Sequence, residues 1–225
     1  MKSLKKIIYF VFFLLGRNRI FRKIILKILI KIHNLSYKSI SSIAAYSGTH
    51  PKHEITNYHQ FFLDNVNKLS NVLDIGCGNG DVAYDLSKKV QRVVGMDISK
   101  KNIETAKKRY DGDNLEFVLG DATKYPFENS FDVIVLSNVL EHIKDRISFL
   151  KKTSNIAPRL LIRVPLITRD WISVYKKEIG QEYRLSKDHY IEYTEEIFQE
   201  EMEKSGLKID KYHVKFGELY AVVSK

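Results

Sequence analysis

Four short stretches carry side chains whose types and spacing could do chemistry. Asp74-Ile75-Gly76-Cys77-Gly78-Asn79-Gly80 places a carboxylate two residues before a glycine ladder. Glycines let a backbone turn tightly and approach a ligand closely. The dinucleotide pattern G-x-G-x-x-G is not met, because position 81 is Asp. An acid just ahead of the first glycine suits an amino-acid-bearing ligand better than a pyrophosphate. The second stretch is Gly95-Met96-Asp97-Ile98, the third Gly120-Asp121-Ala122, and the fourth runs from Ser137-Asn138 to Glu141-His142. Other candidates are weaker. Cys77 is the one cysteine, which excludes an internal disulfide framework and a Cys-cluster zinc site. No base partner is indicated for it as a nucleophile. His50, His53 and His59 have only Glu54 among them as a further ligand, and no metal is expected.

The elements that must position these residues alternate. Val72–Ile75, Arg92–Met96, Leu115–Leu119, Phe131–Leu136 and Arg159–Val164 read as strands. Val82–Val90, Lys100–Tyr110 and His142–Ile156 read as the helices between them, with Ser99 as a cap. Thr194 opens a helix to Ser205. Leu207–Val214 and Glu218–Val223 are separated by so short a turn that they must form a hairpin, so one of them runs antiparallel to the rest. This order predicts an α/β sandwich on a mainly parallel sheet. Ligands bind beyond the carboxyl ends of such strands, and all four motifs fall there. Asp97 then stands where a ribose diol would lie. Asp132 opens its strand, away from the cleft, and reads as structural.

With these motifs in place, residues 70–165 resemble the class I S-adenosylmethionine-dependent methyltransferases, especially the methyltransferase domain 11 group. The resemblance implies a Rossmann-like three-layer sandwich with a seven-stranded sheet in the order 3-2-1-4-5-7-6, strand seven antiparallel. It implies that Asp74 and the backbone of Gly76, Gly78 and Gly80 hold the methionine moiety. Asp97 would take both ribose hydroxyls, Ile98 would pack on adenine, and Asp121 would accept from the adenine amino group beside Ala122. Ser137 and Asn138 would line the cofactor near its sulfonium. A base is needed only for a hydroxyl acceptor, and His142 and His189 are the candidates. Residues 165–193 occupy the family's usual place for a substrate lid, with Arg169, Trp171 and Tyr190 as substrate residues. Arg163-Val164-Pro165, Arg169-Asp170-Trp171 and His189-Tyr190 are similar to bacterial homologues tied to cell-surface glycan or lipid-linked sugar pathways.

Charge placement bears on partners. The net charge is +10, yet residues 1–53 hold eleven basic residues and no acid, leaving 26 basic against 27 acidic residues elsewhere. Ile7–Leu15 is an unbroken apolar run. Ile20–Ile32 resumes it, with Lys23, Lys27 and Lys31 on one helical face. Neither run spans a bilayer comfortably, whereas an apolar arc with a lysine stripe suits a helix lying on an anionic membrane surface. The expected organisation is an arm over 1–33 and a methyltransferase domain over 34–225. The expected function is S-adenosylmethionine-dependent methylation of a small-molecule, lipid- or glycan-linked hydroxyl at the inner face of the cytoplasmic membrane. Methylation of nucleic acid through the basic arm fits less well, because phosphate binders need exposed charge rather than runs of Ile and Leu. The fourth strand also ends in Ser137-Asn138-Val139-Leu140 instead of the Asn-Pro-Pro-Tyr or Asp-Pro-Pro-Tyr of base and amide methylation. A catalytically silent cofactor-binding partner subunit is the remaining alternative.

Overall fold

Val72, Leu73 and Ile75 form a short apolar run closed by glycines, the pattern of a strand covered on both faces. In the computed structural model, which describes residues 2–46, 51–127 and 130–225, this run is β1 (Asn71–Ile75), an interior strand of a seven-stranded sheet. The other strands are β2 (Arg92–Asp97), β3 (Leu115–Leu119), β4 (Val133–Ser137), β5 (Arg159–Pro165), β6 (Lys208–Lys215) and β7 (Glu218–Ser224). Their order is β3-β2-β1-β4-β5-β7-β6, as the resemblance implies. β1 to β5 are mutually parallel, and β7 pairs antiparallel with both β5 and β6. The reversal comes from the two-residue turn Phe216-Gly217, where both residues have positive φ, +50° and +71°. That pair of left-handed residues matches the twist of a tight hairpin.

The chain divides into two compact units, Met1–Ile55 and Thr56–Lys225. In the second, one apolar cluster packs Leu73, Ile75, Ile134, Leu136, Leu150, Phe198 and Met202 on one face of the sheet. Another packs Phe62, Val72, Ala83, Leu86, Val93, Ala106 and Val135 on the other. The covering helices are α4 (Tyr58–Asp64), α5 (Asp81–Ser87), α6 (Lys100–Arg109), α7 (Arg146–Ile156) and α9 (Glu195–Lys204). Their starts are legible in the sequence. Ser99 caps α6 through the Asn102 amide at 3.3 Å, and Thr194 caps α9 through the Ile197 amide at 3.3 Å. Asp132 accepts from the Asn71 amide at 2.7 Å, a structural bond that ties the start of β4 to β1.

Ahead of the sheet, α3 (Pro51–Thr56) and α4 are separated at Asn57, whose φ is +47°. One local expectation changes. His142 does not begin the long helix. It closes a single 3-10 turn, Leu140–His142, and α7 starts only at Arg146 behind its cap Asp145. In the first unit, α1 (Lys2–Gly16) is followed by α2 (Arg19–Ala44), which runs on through the serine-bearing stretch after residue 33. Asn18 caps α2, its Oδ1 accepting from the Ile20 amide at 2.9 Å. Tyr9, Phe10, Phe13, Ile20, Phe21 and Ile24 of these helices are exposed. No helix among the described residues is long and apolar enough to cross a membrane. His50 lies outside the described residues.

Candidate active site: a glycine cradle and an acid–histidine cluster

The cradle starts where β1 ends. The amides of Gly76 and Cys77 both donate to the Met96 carbonyl, at 2.7 and 3.0 Å, which bends the loop over β2. Gly80 must be glycine: its φ is +87°, and a Cβ there would meet Phe117 at 2.7 Å. Gly78 also has a positive φ, +55°, but a Cβ there would meet nothing within 4 Å. Its glycine therefore keeps open space at the loop tip. The Gly78 amide donates to Asp97 Oδ2 at 2.9 Å. Asp97 Oδ1 accepts from the Ser99 amide at 2.8 Å and from Asn102 Nδ2 at 3.3 Å. One buried carboxylate thus braces the glycine loop against the start of α6. Ile98, next to it, is exposed.

Asp74 is 1% exposed, and its Oδ2 has no hydrogen-bond partner among the described residues. Burial first, and the negative Asp97 second, push its carboxyl up to about 8. Asn138 is a second such group. Its φ is +57°, its amide donates to the Arg163 carbonyl at 2.8 Å, and its buried Oδ1 is unpartnered. An unsatisfied buried polar atom costs about 1–3 kcal/mol, a cost that a ligand offering donors would remove. Asp121 is differently placed. Its Oδ1 accepts from the Thr123 amide and hydroxyl at 3.0 and 2.6 Å, bonds that hold its carboxyl below the usual range. Ala122 is buried beside it. Cys77 is buried, and burial raises its thiol above its ordinary value, which leaves it unreactive.

Between this cradle and the lid stands Arg163 of β5, 4% exposed. Its Nε and Nη2 both reach Glu218 Oε2 of β7 at 2.7 Å, and its Nη1 donates to Ser137 Oγ at 3.2 Å. The guanidinium lies 3.8 Å from the centre of the Tyr58 ring. Sequence reading missed this group, because β5 and β7 are more than fifty residues apart and neither residue belongs to a glycine or acid motif.

Beyond β4 the chain forms a second cluster. Glu141 is fully buried, and neither carboxylate oxygen has a partner among the described residues. Burial pushes its carboxyl up to about 7, a rise moderated by its own backbone amide and by His189. His142 and His189 meet edge to face, with ring centres 4.6 Å apart. His142 Nδ1 lies 3.0 Å from Asp188 Oδ2, and His189 Nδ1 lies 2.8 Å from Glu192 Oε1. Burial lowers the His142 imidazole below its ordinary value, and Asp188 partly offsets this. Arg169 is not free to meet a ligand with its whole guanidinium: it donates to Glu192 Oε2, the Leu166 carbonyl and the Tyr183 carbonyl at 2.6, 3.1 and 2.7 Å. It braces the lid. Trp171 opens α8 (Trp171–Glu178) and is exposed, as is Tyr190, whose amide donates to the Glu141 carbonyl at 2.8 Å. The fold therefore gathers the two expected histidines with Glu141 of the fourth motif and adds Asp188 and Glu192, which no sequence motif marked.

Comparison with known proteins agrees with this geometry. Residues 73–157 match the family model described as "Methyltransferase domain". The chain is 34% identical over 117 residues to the ubiquinone biosynthesis O-methyltransferase of Bradyrhizobium diazoefficiens, covering 51% of this chain and 46% of that protein. It is 33% identical over 110 residues to the demethylmenaquinone methyltransferase of Staphylococcus epidermidis, covering 47% and 46%. The chain thus spans about half the length of the curated relatives it matches. Among solved structures, a TehB-like SAM-dependent methyltransferase from Corynebacterium glutamicum superposes with a TM-score of 0.59 at 19% identity, covering 87% of this chain and 99% of that one. Magnesium protoporphyrin IX methyltransferase from Synechocystis, solved with bound SAH, gives 0.58 at 18% identity, covering 77% and 82%. The [4+2]-cyclase SpnF reaches the same TM-score, 0.58, at 13% identity over 76% and 81% of the two chains, so the fold alone does not fix a reaction. Residues 73–157 thus carry a methyltransferase domain, on a sheet whose order is that of the class I S-adenosylmethionine-dependent methyltransferase fold.

Proposed function

We propose that this chain transfers the methyl group of S-adenosylmethionine to a hydroxyl of a small, lipid-borne or glycan-linked acceptor at a membrane surface. The observation that carries the methyl-donor half is the pair of buried, unpartnered oxygens, Asp74 Oδ2 and Asn138 Oδ1, on either side of an open glycine cradle. An ammonium group answers the first. Asp74 and the loop backbone of Gly76, Gly78 and Gly80 would hold the methionine end, and Asp97 would accept from the ribose hydroxyls. Exposed Ile98 would cover one adenine face, with Asp121 and Ala122 at its edge. When bound, S-adenosylmethionine supplies an electrophilic methyl carbon on a positively charged sulfur. The protein's contribution is alignment, since displacement at carbon needs the nucleophile held in line. Ser137, fixed by Arg163, and Asn138, fixed by its left-handed backbone, are the rigid residues facing that centre. A hydroxyl acceptor must also lose a proton, and the Glu141–His142–His189 cluster is the group placed to manage it.

The acceptor half draws on two supports. The relatives named above belong to ubiquinone biosynthesis and to demethylmenaquinone methylation, and α1 and α2 expose long apolar side chains beside Lys23, Lys27 and Lys31. Such helices bind anionic interfaces through both terms.

Titration calorimetry with S-adenosylmethionine tests the donor. Binding near one equivalent is expected, and at pH 7 it should release a proton. The raised Asp74 carboxyl is largely protonated there and must ionise to meet an ammonium, so apparent affinity should rise with pH until about 8. Repeating the titration in buffers of different ionisation heat measures that proton. Absence of binding would sink the donor reading. For the arm, the full chain should float with anionic liposomes, and a chain lacking residues 1–33 should not. Equal flotation of both would overturn the membrane part.

A further inference from the structure

We propose that Glu141, His142 and His189 form a binding site for a first-row divalent metal ion. The inference goes beyond the methyl-donor reading and adds the acceptor side of the same cleft. The ligand atoms of these three residues lie within 4.8 Å of one another. A shared ion with ligands at about 2.1 Å would bring them to roughly 3–3.4 Å, a closure of at most about 1.4–1.8 Å. His142 sits on the short turn after β4 and is only half-buried, so it has room to make that adjustment.

The independent observation is Glu141. A fully buried carboxyl with both oxygens unpartnered is expensive in an apolar core. The ligand nitrogens of two imidazoles, His142 and His189, lie within reach of it. A dication bound between the three would satisfy it. The outer shell is arranged as metal sites require. His142 uses Nδ1 on Asp188 and His189 uses Nδ1 on Glu192. Each pairing leaves Nε2 as the free ligand atom and fixes its ring. Glu192 is itself pinned by Arg169 at 2.6 Å, so the second shell is built on the lid and the first on the turn after β4. Two imidazoles and one carboxylate favour zinc, manganese, iron or cobalt over magnesium. Three protein ligands leave coordination positions for oxygens of an acceptor. An ion there would make a bound hydroxyl more acidic and hold it in place. The oxygen lone pair then forms the new C–O bond, the S–CH3 bond breaks with its electrons passing to sulfur, and the hydroxyl proton leaves to solvent.

The test uses the full chain, stripped with chelator and dialysed against Mn2+ or Zn2+. One equivalent per chain is expected by elemental analysis, with a rise in the unfolding midpoint. Glu141→Gln keeps the side-chain volume and should weaken metal binding at least tenfold. His142→Ala, at a half-exposed position that folding tolerates, should do the same and lose the midpoint rise. His213→Ala, elsewhere on the sheet edge, should leave metal binding unchanged. Binding well below one equivalent, or binding that survives both Glu141→Gln and His142→Ala, overturns the site. S-adenosylmethionine binding to the stripped chain is measured in the same preparation, so the metal and methyl-donor readings can fail separately.

Discussion

Replacing Asp97 with alanine is expected to weaken S-adenosylmethionine binding by about 100-fold or more. Two charge-assisted hydrogen bonds to a ribose diol, at about 1.5 kcal/mol each, already give that factor. The change also frees the Gly78 amide and the Ser99 amide, both of which donate to this carboxylate in the folded chain. The loop tip then loses its anchor to the start of α6 as the ligand loses its acceptor. Calorimetry on a variant shown to be folded by its unfolding midpoint decides the matter. A dissociation constant within about threefold of the parent chain would show that Asp97 is only a brace. Asp121→Ala provides the contrast. Asp121 would accept one hydrogen bond from the adenine amino group where Asp97 accepts two from the ribose, so its removal should cost less than about tenfold, the worth of one ordinary hydrogen bond.

The largest stability effect is expected at Arg163. Its side chain and that of Glu218 are 5% and 3% exposed. Arg163→Met would leave the Glu218 carboxylate buried without its cation, although the Tyr220 hydroxyl still donates to it at 3.1 Å. Breaking one side of a buried pair costs about 3–5 kcal/mol, and replacing both sides with apolar residues is often close to neutral. The single variant should therefore lower the unfolding midpoint by roughly 10 °C, given about 2–4 °C per kcal/mol for a domain of this size. Arg163→Met with Glu218→Leu should recover much of that loss. Thermal or urea unfolding of the three chains checks the prediction. A drop under about 2 °C in the single variant would mean that the pair contributes little. Because Arg163 also holds Ser137 and lies over Tyr58, the double variant can regain stability without regaining cofactor affinity, which separates the two roles.

The methyltransferase frame was legible because its signals are local. A glycine with φ of +87° packed against Phe117 cannot be replaced cheaply, so the ladder Gly76-x-Gly78-x-Gly80 carries its backbone shape in its composition. Apolar runs of four or five residues ending in acid or glycine marked β1 and β2, and the two-residue turn at Phe216-Gly217 announced the antiparallel β7. Helix caps Ser99 and Thr194 were readable for the same reason: a cap acts on the residues just after it. Boundaries were less legible where propensity is even-handed. His142 was read as the start of a helix to Ile156, yet it closes a separate 3-10 turn and α7 begins only behind Asp145.

The acceptor side shows the opposite case. His142 and His189 were visible as residue types, but nothing in their spacing joins positions 47 residues apart. Only the return of residues 186–190 to the turn after β4 places the two rings 4.6 Å apart, with Glu141 within reach of both. The same holds for Arg163 and Glu218, which meet because antiparallel β7 lies against β5. The sequence by itself determined the cradle, since glycine conformations and strand-end acids are properties of short segments. Burial, unpartnered oxygens and the meeting of distant charges arise from packing. They were decided by the tertiary structure alone, and they carry the new inference about the acid–histidine cluster.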